Sequence, residues 1–236
     1  MNHPDTFCVA PFIGLQVNTN GTLMPCCEFD HKASGFGNTS TFREYDQWQA
    51  NTMGQLKHDL LNGVKSPGCH RCWARENIDI DTVDSQRISL NAKFRDFVNN
   101  KFDSTQLESP RSVTVMFGNF CNLRCIQCGA FCSSSHQTEQ IVHKSKFQNL
   151  NFYTVDESAE KKWWKTSDFS EFLNKINKNI DHVFLHGGEP LITPEAVAFL
   201  NSIPNPEHII LTLTTNATVL SDEIYDLLSR FKELSV

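Results

Sequence analysis

Three thiols fall within eight residues in the run Cys121-Asn-Leu-Arg-Cys125-Ile-Gln-Cys128. The run follows directly on Val113, Val115 and Phe117, whose alternation reads as a strand. A loop that must present three cysteines from a strand end constrains both the backbone there and the chemistry it can support. The spacing suits iron–sulfur ligation: three thiolates hold three irons of a [4Fe-4S] cube and leave the fourth iron open to an outside molecule. An open iron points to chemistry rather than scaffolding.

From Arg111 onward strand, loop and helix alternate. Val183-Phe-Leu185 forms a second strand and leads into His186-Gly-Gly-Glu-Pro190. Thr193 then stands at a helix cap, with Pro194 in the first turn. A third strand, Ile209-Ile-Leu-Thr-Leu213, ends at Thr214-Thr215-Asn216. Ser221 begins another helix whose Ile224, Leu227, Leu228 and Phe231 share one apolar face, and Glu233-Leu-Ser-Val236 opens a fourth strand. The pattern predicts an α/β fold, with a parallel sheet and right-handed crossovers. Each motif falls at the carboxyl end of a strand, the edge where such sheets bind ligands.

The N-terminal part has a different character. Phe12, Leu15 and Val17, the turn Asn18-Thr-Asn20-Gly21 and the return Thr22-Leu23-Met24 read as a hairpin flanked by Cys8 and the pair Cys26-Cys27. An antiparallel return brings the strand ends together, so Cys8 can approach Cys26 or Cys27. Met53, Leu56, Leu60 and Leu61 recur at helical spacing before Gly63. Ser66-Pro-Gly-Cys69-His-Arg-Cys72 is a turn feeding a C-x2-C knuckle. Residues 80–108, with Ile88, Leu90, Phe94, Phe97 and Phe102, read as a helix and a linker.

Of the 236 residues 39% are hydrophobic, enough to bury a core, and two modules are expected, residues 1–105 and 106–236. A formal charge of -6 argues against a nucleic-acid groove or an anionic membrane surface as partner. The start of the chain lacks the basic and apolar regions of a signal peptide, and no apolar run approaches a membrane span, so a cytoplasmic location is expected. There the nine cysteines would stay reduced, and grouped pairs read as metal ligands.

The three motifs together, C-x3-C-x2-C after the first strand, Gly187-Gly-Glu-Pro190 after the second and Thr215-Asn216 after the third, resemble the radical S-adenosylmethionine superfamily over residues 111–236. The resemblance implies a partial (β/α) barrel of about three to four β/α units. It implies that Cys121, Cys125 and Cys128 bind a catalytic [4Fe-4S] cluster and that Gly187, Gly188, Glu189 and Asn216 contact S-adenosylmethionine, chelated to the open iron through its amine and carboxylate. Two glycines would let the backbone approach that ligand, with Glu189 adding an acceptor of matching charge. One electron from the cluster would break a carbon–sulfur bond of the sulfonium and yield a radical that abstracts a substrate hydrogen.

The N-terminal module resembles the twitch domain, a short relative of the SPASM auxiliary-cluster domain, through Cys8, Gly21-x4-Cys26 and Cys69-x2-Cys72. Those four cysteines would hold a second [4Fe-4S] cluster with no vacant iron. The usual position of such a domain is after the catalytic core, so its place in front is a departure. The resemblance further implies a peptide or protein substrate, or a small molecule to be oxidised, and an electron donor such as flavodoxin or ferredoxin. A complete core of this superfamily has about six β/α units. The expectation is therefore a fragment, with a shortened relative that needs another chain as the alternative, and weak or absent cofactor cleavage by this chain alone.

Each motif also has a plainer reading. Zinc suits four thiolates such as Cys8, Cys26, Cys69 and Cys72, and Cys132 would complete a zinc set with Cys121, Cys125 and Cys128. That gives the contrasting class, a non-catalytic zinc-binding module. Cys27 is an alternative to Cys26, and otherwise Cys27 and Cys132 are spare thiols. His186 reads as a local hydrogen-bonding residue. Phe117 and Phe120 are expected to pack under the cluster loop, Ile126 to offer a dispersion contact where an aromatic is common, and Trp163-Trp164 to cover the barrel.

Overall fold

In the computed structural model, residues 3–34, 41–78, 84–100, 110–147, 162–177 and 179–236 are described. The chain is α/β, with a six-stranded, mostly parallel sheet. It divides into two compact units, residues 1–16 with 23–110, and residues 17–22 with 111–236. Among the described residues no helix is long and apolar enough to cross a membrane.

The first unit opens on α1 (Ala10–Ile13), β1 (Gly14–Val17) and β2 (Leu23–Met24). Phe12, expected on a strand, lies on α1 instead, because Pro11 in the first turn presets a helical φ there. Gly14 then permits a close approach: a Cβ on it would stand 2.6 Å from the Pro25 carbonyl oxygen. α2 (His31–Ser34) is started by Asp30, whose carboxylate accepts from the backbone N–H groups of Lys32 and Ala33. α3 (Tyr45–Trp48) runs through a single π-type turn into α4 (Gly54–Leu61). The expected apolar stripe is realised at Met53, Leu56 and Leu60, all fully buried.

Next come α5 (His70–Glu76), α6 (Gln86–Lys93) and α7 (Arg95–Asn100). Two short helices thus occupy part of the stretch read as one helix and a linker, and Phe102 lies outside the described residues. Phe7, Val9, Phe12, Ile13, Phe94 and Val98 form a cluster in this unit. Asn91 stitches it, accepting from Val9 N–H and donating to the Phe7 carbonyl at 2.8 and 2.9 Å.

The second unit carries β3 (Ser112–Met116), β4 (His182–His186), β5 (Ile210–Leu213) and β6 (Glu233–Ser235), parallel and adjacent in chain order. The period-2 pattern sets the register. Val113 pairs with Val183 and Val183 with Leu211, while Val115 pairs with Leu185 and Leu185 with Leu213, so two apolar ladders cross three strands. All six side chains are buried, each stabilising the sheet by about 1.5–3 kcal/mol.

The described helices of this unit are α8 (Ser134–Val142), α9 (Lys144–Phe147), α10 (Ser167–Ile176), α11 (Pro194–Ser202) and α12 (Asp222–Ser229). Ser133, Thr166 and Ser221 cap α8, α10 and α12 by accepting from backbone N–H groups in the first turn. Thr193 holds the cap position of α11 but sends its hydroxyl to the Glu189 carbonyl instead. Phe117 sits past the end of β3, buried and stacked on Trp163 at 6.0 Å, with Trp164, Phe169 and Phe199 around it. Trp163 is fully buried and donates to the Thr19 carbonyl at 3.0 Å.

Candidate functional site

The three motif segments meet where β3, β4 and β5 end. The cysteine loop, residues 117–133, contains no helix or strand of its own, so its shape depends on outside contacts. Asn119 closes its base: its carbonyl accepts from Ser134 N–H at 2.8 Å, and its side-chain amide donates to the Ala130 carbonyl and to Gln137 at 2.8 and 2.6 Å. His136 of α8 makes a 3.0 Å hydrogen bond to the Cys125 carbonyl. Glu139 of the same helix pairs with Arg124 at 2.8 Å.

Gly187 and Gly188 carry the end of β4 onto this loop. Gly187 has φ +129°, and a Cβ on it would stand 2.9 Å from the Gly118 carbonyl oxygen. A Cβ on Gly188 would stand 2.0 Å from the Phe120 carbonyl oxygen. The absent side chains admit the backbone of the cysteine loop. Two hydrogen bonds fix the contact, Gly188 N–H to Gly118 O at 3.2 Å and Glu189 N–H to Phe120 O at 2.8 Å.

Glu189 is buried at 2% exposure and joins this pair of segments to the end of β5. Its Oε1 accepts from Leu191 N–H at 3.0 Å and the Thr215 hydroxyl at 2.6 Å, and its Oε2 accepts from Asn216 N–H at 2.7 Å. Three donors satisfy most of a buried carboxylate and leave Oε2 one further acceptor position. Asn216 continues the chain of contacts to the thiols. Its side-chain amide donates to the Cys121 sulfur at 3.7 Å and to Asn122 at 3.0 Å, and its carbonyl oxygen accepts from Thr218. A second donor, Leu123 N–H, reaches the same sulfur at 3.4 Å.

Cys121, Cys125, Cys128 and Cys132 are half-buried. Burial, then the neighbouring charges of Cys125 and Cys121, push the Cys128 thiol up. Burial, then the neighbouring charges of Cys128 and Cys121, push the Cys132 thiol up to about 12. Phe120, expected beneath the loop, is 58% exposed, and Ile126 is 98% exposed. His186 is half-buried, and loss of hydration pulls its imidazole down.

The first unit gathers its own thiols. Burial raises Cys8 and Cys69 to about 12 and raises Cys26 and Cys72. After burial, mutual repulsion contributes: Cys8 is affected by Cys69 and Cys72, Cys26 by Cys8 and Cys72, and Cys69 by Cys26 and Cys72. Cys27 is exposed, raises its neighbour Cys26 and is itself affected by Cys72. Beside the four thiols stands a pair that sequence reasoning did not single out, Arg87 and Glu76, joined at 2.7 Å. No local pattern signals it, because the partners come from separate helices.

Among the described residues no three His, Cys, Asp or Glu side chains are gathered as closely as a single metal ion requires. No family model, curated protein or solved structure matches this chain.

Proposed function

We propose that this chain is a radical S-adenosylmethionine protein with two iron–sulfur sites. Cys121, Cys125 and Cys128 hold the reactive [4Fe-4S] cluster, and Cys8, Cys26, Cys69 and Cys72 hold a second one. The observation that carries the reading is the linkage Phe120–Glu189–Asn216–Cys121, which joins the three motif segments at one edge of a parallel sheet. The location proposed is the cytoplasm, where the thiols stay reduced.

The residues present fit the cofactors. Leu123 N–H and the Asn216 amide point at the Cys121 sulfur and would orient it as an iron ligand. Glu189 holds the ends of β4 and β5 in register with the cysteine loop and keeps an acceptor position on Oε2 for the ammonium of S-adenosylmethionine. Gly187 and Gly188 keep that carboxylate close to the loop, and Asn216 lies between the carboxylate and the sulfur. Ile126 and Phe120 offer apolar surface beside the thiols. When bound, cluster and S-adenosylmethionine supply one-electron cleavage of a sulfonium and abstraction of a hydrogen atom. The substrate class proposed is a peptide or protein, on the ground that a second four-thiol set accompanies the reactive one. Oxidation of a small molecule is the alternative.

Anaerobic reconstitution tests the reading. Iron and sulfide should be incorporated with a broad visible absorbance, and the Cys121→Ala, Cys125→Ala, Cys128→Ala variant should lose about half of it. S-adenosylmethionine should perturb the spectrum of the parent but not of that variant. Stoichiometric zinc with no such absorbance would refute the proposal.

A further inference from the structure

Arg87 lies near Cys8, Cys69 and Cys72, on whose thiols its charge acts. It stands at the second position of α6, whose cap Ser85 accepts from Ile88 N–H. An N–H at that position has no partner within the helix. Here it lies near the Cys72 thiol. The guanidinium is held on three sides: Nε and Nη2 donate to the two oxygens of Glu76 at 2.9 and 2.7 Å, and Nη1 donates to the Phe7 carbonyl at 2.9 Å. It lies over the Trp73 ring at 5.1 Å. Both ends of the ion pair are largely shielded, at 14% and 16% side-chain exposure.

Phe7 immediately precedes Cys8, and Trp73, over whose ring the guanidinium lies, immediately follows Cys72, so the cation is anchored beside two of the thiols. Shielding of this degree makes the desolvation cost of an ion pair considerable. A charge held so firmly acts on whatever occupies the neighbouring site. Resting on the reading of Cys8, Cys26, Cys69 and Cys72 as a second cluster, we propose that Arg87 is a positioning residue that sets the charge and reduction potential of that cluster, with Glu76 as its orienting counter-ion. Four thiolates leave an oxidised [4Fe-4S] site with excess negative charge, and reduction adds more. A fixed cation favours the reduced form, and the carboxylate behind it opposes that effect.

The test uses the full chain carrying Cys121→Ala, Cys125→Ala and Cys128→Ala, so that the remaining iron belongs to the other four cysteines. Anaerobic dithionite titration with redox mediators is followed by electron paramagnetic resonance. Arg87→Met should lower the equilibrium constant for reduction about tenfold, which is about 60 mV more negative at 59 mV per decade for one electron. Glu76→Gln should shift it in the opposite direction, and Arg87→Lys should stay within about threefold of the parent. A mere clasp between helices predicts shared losses of iron and stability without opposed potential shifts. Iron retained with potentials that do not move, or that move the same way in Arg87→Met and Glu76→Gln, overturns the inference alone. Should Arg87→Met fail to fold, the shifts in Glu76→Gln and Arg87→Lys decide the matter. Absence of iron in the triple-alanine background overturns the second-cluster reading, and the inference with it.

Discussion

Replacing Gly188 with alanine tests whether the cysteine loop is seated directly on the end of β4. A Cβ there would stand 2.0 Å from the Phe120 oxygen, 2.6 Å from the Phe120 carbon and 2.7 Å from the Asn119 carbon, all backbone atoms that no rotamer change can move. The two segments must part by more than an ångström. The Gly188 N–H to Gly118 and Glu189 N–H to Phe120 bonds would break with them. Overpacking costs about 1–3 kcal/mol and each lost bond about 1 kcal/mol, so Gly188→Ala should destabilise the protein by about 3–5 kcal/mol. Urea unfolding measures that loss, and iron bound per chain after reconstitution measures the damage to the loop. Gly54→Ala is the control: Gly54 is helical at φ -57° and ψ -50°, and a Cβ there meets nothing closer than 3.7 Å. It should gain about 0.5–1 kcal/mol. A Gly188→Ala protein within about 0.5 kcal/mol of the parent, with full iron, would refute the seating argument.

Glu189→Gln turns one oxygen into an N–H2 group facing a donor, either Asn216 N–H or the Leu191 and Thr215 pair, and should cost about 2–4 kcal/mol in urea unfolding. An unchanged midpoint would mean that the carboxylate does not fasten β4 to β5. Trp163→Ala removes a fully buried ring that Phe117 and Phe169 contact, at an expected cost of about 3–5 kcal/mol, and a loss under 1 kcal/mol would contradict the packing. Cys8 and Cys69, raised to about 12, with Cys26 and Cys72 also raised, are protonated at neutral pH in the metal-free chain. Raised thiol pKa values stabilise that metal-free fold below the ordinary thiol value near 9, and this contribution is lost as pH climbs toward 12. Metal must displace those protons, so zinc affinity in the triple-alanine background should rise with pH by up to about four decades per unit between pH 6 and 8. A flat profile would show that the four thiols do not bind together.

Strands were readable because the apolar period of two is local: Val113 and Val115, Val183 and Leu185, and Leu211 and Leu213 announce both the strands and the face they bury. The motifs at the strand ends were readable for the same reason, since a strand boundary and a glycine pair are short-range signals. Contacts across the chain were not. That Gly188 makes room for Phe120 and that Thr215 and Asn216 donate to Glu189 depend on segments separated by a β/α unit or more. Phe120 was expected beneath the loop, but its ring is 58% exposed while its carbonyl accepts from Glu189 N–H. Arg87 carried no sequence signal, because Glu76 and Phe7 meet it only in the fold.

The two thiol sets differ in a way that bears on the proposed division of labour. Cys8 and Cys72 are buried, and Cys26 and Cys69 are half-buried. Their neighbourhood includes a fixed ion pair and backbone donors. Such a site resists exchange with solvent and keeps its charge environment constant, which suits storage or relay of an electron. Cys121, Cys125 and Cys128 are half-buried on a loop that exposes Ile126 and Phe120, and their donors come from Leu123 and Asn216. A site that must admit a ligand to one iron needs that access, yet the loop also has to hold its geometry when a ligand arrives. Anchoring through Glu189 reconciles the two needs. The contacts that hold the loop run to the ends of β4 and β5 through Glu189 and to α8 through Asn119, Arg124 and Cys125, so openness toward a ligand does not require looseness of the loop.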